Sequence, residues 1–178
     1  MIGGAMARTG MGVGLALALS AAMVACSGGA IRTPAPVRDP ANARYAIERA
    51  VVTLVNGRAE QDAAPGSAAR NVATLTDQRV SGDVDGDGKP DEVVVVTYQT
   101  GGSGTFCYVA ALLTTASSGA AGPSALLGDR IKVSAIRIDG RAIVVELLER
   151  SAGQPFTSSP TVPTVKRFEV VQVALVAR

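Results

Sequence analysis

From Tyr45 onward the apolar positions fall at strand spacing, with turn residues between the runs. Val51-Val52-Thr53-Leu54-Val55 leads into Asn56-Gly57, a pair suited to a hairpin turn whose two central residues need positive φ. Arg58–Gln61 is then the expected return strand. Residues 42–55 also admit a short helix, because Ala, Arg and Glu are frequent there, but the Val cluster and Asn-Gly favour a strand. A second unit covers Asn71–Val80, Glu92–Thr100 and Thr105–Thr114. Within it Val93–Val96 is an unbroken β-branched run, the pattern of a strand buried on both faces. Gly101-Gly102-Ser103-Gly104 separates the last two segments and predicts that they pair as a hairpin.

The stretch 116–124 is Ala, Ser, Gly and Pro and reads as a mobile loop. Ile131–Ile138 starts as an alternating strand, with Ile131, Val133 and Ala135 opposite Lys132 and Ser134. Its phase slips at Ile136, which predicts a bulge. Asp139-Gly140 marks a tight turn before Ala142–Leu148. Ser151–Pro163 holds three prolines and reads as a loop, and Phe168–Val176 is the expected final strand. Neither a sustained amphipathic helix nor an internal repeat is visible. The fold class predicted is all-β, a single antiparallel β domain in the form of a sandwich or a strongly curved sheet.

Ahead of this domain, residues 1–25 read as a targeting segment. Arg8 supplies a positive n-region, and Met11–Ala25 is a run of 15 apolar and small residues. A spanning helix needs about 20, whereas a signal h-region is this short. The run ends in Met23-Val24-Ala25-Cys26, which resembles the bacterial lipobox, with Met in place of the usual Leu. That resemblance implies cleavage before Cys26 and lipidation of its thiol, with the membrane as a partner. Residues 26–44, with Ser27-Gly28-Gly29 and then Pro34, Pro36 and Pro40, read as an extended Pro-rich tether. The β domain is expected over 45–178, held at the cell envelope and facing the periplasm or the exterior.

Composition narrows the function further. Lys and Arg number 17 against 15 Asp and Glu, with no basic block, so no nucleic-acid-binding surface is expected. With Cys26 lipidated, Cys107 has no partner for a disulfide and reads as a buried strand thiol. The chain contains no histidine. That removes the commonest general base and rules out Ser–His–Asp and Cys–His arrangements. Glu146 and Glu149 are three apart on a strand, so they belong to opposite faces as solvated charges.

One segment carries chemistry: Asp83-Val84-Asp85-Gly86-Asp87-Gly88-Lys89-Pro90-Asp91. Carboxylates at loop positions 1, 3, 5 and 9 can converge on one hard cation, and position 7, Lys89, can offer its peptide oxygen while its ammonium points away. Four carboxylates this close repel one another unless a cation sits among them. The candidate ligands are Asp83, Asp85, Asp87, Lys89 and Asp91, and the candidate ion is structural Ca2+. An EF-hand requires a Glu at position 12, where this chain has Val94, and helices on both sides. The loop resembles instead the FG-GAP/VCBS pattern, Asp-x-Asp-x-Asp-Gly-x-x-Asp running directly into a strand.

Further blocks, Val52–Glu60, Ala63–Ala68, Gly82–Val96, Gly101–Phe106, Leu126–Ile131 and Gln154–Val162, together resemble small, uncharacterised bacterial exported lipoproteins. The resemblance implies family and location rather than activity, and a single loop does not imply a propeller. The function expected is a non-catalytic binding or structural module of the envelope. An alternative of another class is a periplasmic inhibitor of a hydrolase such as lysozyme. Such inhibitors carry a Ser-Gly-x-x-Tyr turn, whereas Ser103-Gly104 here precedes Tyr108 by one residue too many. Gly101–Gly104, Gly128–Arg130 and Gln154–Thr161 are candidate loops for a ligand face.

Overall fold

The structure, a computed structural model, describes residues 38–117 and 119–178. The expected signal segment 1–25, the lipidation site Cys26 and the tether as far as residue 37 lie outside those residues. Residues 38–44 do not behave as tether. Asp39 accepts from the Ala41 amide at 3.0 Å and caps a 3-10 turn at Pro40–Asn42. Pro40 and Ala43 are buried, and the Tyr45 hydroxyl donates to the Pro40 carbonyl at 2.8 Å. The apolar faces of Pro40 and Ala43 have core to cover, which a composition-based reading of Pro and Ala as linker residues overlooks.

Among the described residues eleven strands follow: β1 (Arg44–Ile47), β2 (Ala50–Thr53), β3 (Arg58–Asp62), β4 (Arg70–Gly82), β5 (Asp91–Gln99), β6 (Thr105–Leu112), β7 (Ser124–Asp129), β8 (Lys132–Asp139), β9 (Ala142–Glu149), β10 (Val162–Val171) and β11 (Ala174–Ala177). They form a five-stranded sheet in the order β3-β4-β5-β6-β7, a four-stranded sheet in the order β11-β10-β9-β8, and the β1–β2 hairpin. All strand pairings within the sheets are antiparallel, and the sheets do not close into a barrel.

The hydrophobic runs explain the layering. In β5, Val94, Val96 and Tyr98 pack with Tyr45, Ile47, Val52 and Leu54 beneath the hairpin. Val93 and Val95 point the other way, onto Ile143, Val145, Leu147 and Phe168 of the four-stranded sheet. The Val93–Val96 run is therefore buried on both faces, as its lack of alternation predicts. β6 repeats the arrangement, with Tyr108, Ala110 and Leu112 on one side and Cys107, Val109 and Ala111 on the other. Each fully buried Val contributes about 1.5–3 kcal/mol relative to an exposed one.

Several elements differ from the sequence reading. Asn56 and Gly57 have φ of 51° and 81°, the turn expected, but only a single bridge, Val55 to Arg58, joins its arms. β2 pairs with β1 and β3 pairs with β4, because Val52 and Leu54 must be buried in the hairpin layer while Arg58–Asp62 forms the polar edge of the sheet. β7, including Gly128 and Asp129, is a strand where no strand was expected. One residue extra relative to β6 makes a bulge that turns Leu127 into the core. Within the stretch read as mobile, Gly122 bonds both Arg44 and Ala46 of β1. The β8 bulge lies between Val133 and Ala135, at Ser134, two residues before the expected slip. The final strand is two strands: β10 turns at Gln172-Val173 into β11, and β10 begins at Val162 inside the expected loop. Glu146 and Glu149 do fall on opposite faces, the first paired with Arg137 and the second with Lys166.

A candidate cation-binding loop

The acidic segment connects β4 to β5, two strands paired to their last residues through Gly82 and Asp91. Those paired strands fix the ends of the loop, so its carboxylates are placed by the sheet. Oxygens of Asp83, Asp85 and Asp91 lie within 4.8 Å of one another.

Each carboxylate is held by main-chain amides. Asp91 is fully buried; its Oδ2 accepts from Val84 N at 3.1 Å and its Oδ1 from Thr114 N at 2.8 Å. Burial pushes the Asp91 carboxyl above its ordinary range, against the pull of those two amides, and the negative charges of Asp85 and Asp87 add to the rise. Asp83 accepts from Gly86 N at 2.6 Å and Gly88 N at 2.9 Å, and these bonds, the first above all, hold its carboxyl below the usual value. Asp85 accepts from Asp87 N at 3.1 Å and from the Thr115 hydroxyl at 3.0 Å. Gly86 and Gly88, at φ of 87° and 79°, supply the left-handed backbone that aims these amides inward.

Asp87 lies outside the group of three. Its Oδ1 accepts from Lys89 N at 2.7 Å, and Oδ2 is 3.8 Å from the Lys89 ammonium. The ammonium thus turns back onto a loop carboxylate instead of pointing away. Val94, at the EF-hand's twelfth position, is buried against the β1–β2 hairpin.

Three contributors were not legible in the sequence. Thr114 and Thr115 come from the turn that follows β6, and Arg141 from the turn between β8 and β9. Arg141 Nη2 donates to the Asp85 carbonyl at 2.7 Å across 56 residues of chain. No local pattern announces such a contact.

The donor set suits a hard cation. Calcium takes oxygen ligands at about 2.3–2.6 Å, so oxygens flanking one ion stand up to about 5 Å apart. Each carboxylate oxygen that accepts one amide keeps a lone pair for a cation.

The three loops named as a ligand face meet at the opposite end of the sandwich. Arg130 donates to the Ser103 carbonyl and, at 3.2 Å, to its hydroxyl, and its guanidinium carbon is 4.9 Å from the Phe156 ring centre. Cys107 is buried, as expected, and burial raises its thiol above the ordinary range, with Asp129 adding to the rise. Comparison with protein-family models, with curated proteins and with solved structures finds no match for this chain.

Proposed function

We propose that this is a membrane-anchored, non-catalytic lipoprotein of the cell envelope whose β domain is braced by calcium in the Asp83–Asp91 loop. The observation that carries the calcium reading is the convergence of Asp83, Asp85 and Asp91 from three points of one short loop. Asp87, once turned from Lys89, and the Lys89 peptide oxygen are the further ligands proposed. Bound calcium would neutralise carboxylates that otherwise repel, and so fasten β4 to β5 at the centre of the larger sheet. The anchor rests on the Met23–Cys26 sequence, since two acyl chains hold a protein where one does so only weakly. The absence of histidine supports a binding or structural role over hydrolysis.

Thermal melting of the detergent-solubilised protein tests the metal. With an affinity of about 10⁻⁴–10⁻³ M, typical of extracellular sites, 1 mM calcium should add about 0.4–1.4 kcal/mol over chelator. Asp85→Asn should abolish that gain while leaving the melt in chelator nearly unchanged. Identical melts of the wild type with calcium and with chelator would refute the site. Cys26→Ser tests the anchor: release from membranes supports it, whereas unchanged fractionation and no labelled palmitate on the wild type overturn it.

A further inference from the structure

The end of the sandwich away from the acidic loop carries a second constellation. The β5–β6 turn, Gly101–Gly104, borders an open cleft of about 270 Å³ whose side chains are all polar: Arg70, Gln99, Thr100, Ser103 and Thr105. Among the described residues the amides of Gly102, Ser103 and Gly104 make no hydrogen bond, whereas Gly101 N donates to Asn71 at 3.1 Å. Three successive main-chain donors that carry no bond within the described residues therefore belong to residues lining a polar cleft, a composition that suits an anionic oxygen. Arg70, exposed and paired only loosely with Asp62 at 3.3 Å, adds a cation at the rim.

Beside the cleft stands Phe156, the most exposed large apolar side chain described, at 70%. Arg130 and Arg150 lie 4.9 and 5.3 Å from its ring centre. Both are bonded to the scaffold: Arg130 to Ser103 and Asp129, and Arg150 to the Asp129 and Arg130 carbonyls. Those bonds hold the two guanidiniums at the end of β7, and Phe156 rests on them while most of its surface stays open to solvent. One guanidinium separates the ring from Ser103, so a ligand of more than one unit can reach both.

We propose that this end of the domain binds an acidic oligosaccharide. The C–H face of a sugar ring carries partial positive charge and stacks on the negative face of Phe156. Its hydroxyls exchange hydrogen bonds with Gln99, Thr100 and Ser103, and its carboxylate is taken by Arg70 and the Gly102–Gly104 amides. The all-polar lining favours a hydroxyl-rich ligand over an acidic peptide, whose side chains would seek apolar contacts.

Fluorescence anisotropy on the full chain in detergent, with end-labelled hyaluronan and oligogalacturonate tetramers, tests the proposal. At least one should bind, and Phe156→Ala and Arg70→Gln should each weaken it about tenfold, with Phe156→Tyr restoring the stack. Chitotetraose, neutral and also built of pyranose rings, should bind at least fivefold more weakly. The proposal is overturned if neither acidic tetramer binds at about 10 mM, where even weak contacts register. It is equally overturned if Phe156→Ala binds as the wild type does, if chitotetraose binds as well, or if tetraglutamate binds as tightly as the sugars.

Discussion

Arg141 donates to the main-chain oxygen of Asp85 at 2.7 Å, and its guanidinium occupies the place where a side chain on Gly86 would begin. A Cβ at Gly86 would stand 2.7 Å from Arg141 Cζ, while one at Gly88 would meet nothing within 4 Å. Both glycines have positive φ, so alanine at either costs about 1–2 kcal/mol in backbone strain. Gly86→Ala should lose more than Gly88→Ala in urea denaturation with chelator present. Arg141→Ala should remove the difference.

Asp91 answers to a different test. Its two oxygens satisfy the amides of Val84 and Thr114 inside the protein. Asn at this position presents an amide nitrogen to one of those donors, leaving a buried N–H unmet at about 1–3 kcal/mol. The loss should appear in chelator as well as in calcium, unlike that of Asp85→Asn. A melt of Asp91→Asn unchanged in chelator would contradict the role of the side chain as a main-chain acceptor.

The β10–β11 turn stores strain. Gln172 and Val173 have φ of 47° and 64°, and a β-branched residue is among the least tolerant of that region. A two-residue hairpin with both positions at positive φ favours Asn-Gly. Replacing Gln172-Val173 by Asn-Gly should raise stability by about 1–3 kcal/mol, read as a higher denaturation midpoint at unchanged slope.

Gly122 is a steric requirement. A Cβ there would collide with the Ala111 carbonyl oxygen and come within 2.8 Å of Leu112 Cδ2, and backbone cannot yield as a flexible side chain can. Gly122→Ala should therefore push β1 off the sheet and lower stability by about 2 kcal/mol or more.

Cys107 should be silent in the native protein. Burial keeps its thiol protonated and out of reach, so Ellman's reagent at pH 8 should label it only after unfolding. Rapid native labelling would place the residue at an accessible surface.

How much of this was readable in advance depended on whether the signal was local. Val93–Val96 announced its doubly buried strand because both of its faces meet core, and the acidic loop announced itself because its ligands are neighbours in sequence. Ser124–Asp129 escaped notice because Gly128 and the exposed Leu126 break any alternation, and its strand state is imposed by pairing with β6. Gln172-Val173 carries no turn signature at all; the pairing of Val171 with Ala174 forces the turn. Asn56-Gly57 gave the turn but not its partners, since which strands pair was decided by where Val52 and Leu54 could be buried. Thr114, Thr115 and Arg141 reach the loop from distant segments, and such contacts exist only once the sheets are stacked.

The bonds made by Arg38 and β1 also set a path for mechanical load. Arg38 is bonded to the Ala120 carbonyl at 2.7 Å, and β1 meets Gly122 in a parallel bridge closed by Arg44 and Ala46 at 2.7 and 2.9 Å. Tension applied ahead of residue 38 would first draw on this small strap on the outer side of the larger sheet. The ladder between β5 and β6 is eight residue pairs long and buried on both faces. Wherever the preceding chain is held fast, the strap would yield first and shield the sandwich from the pull.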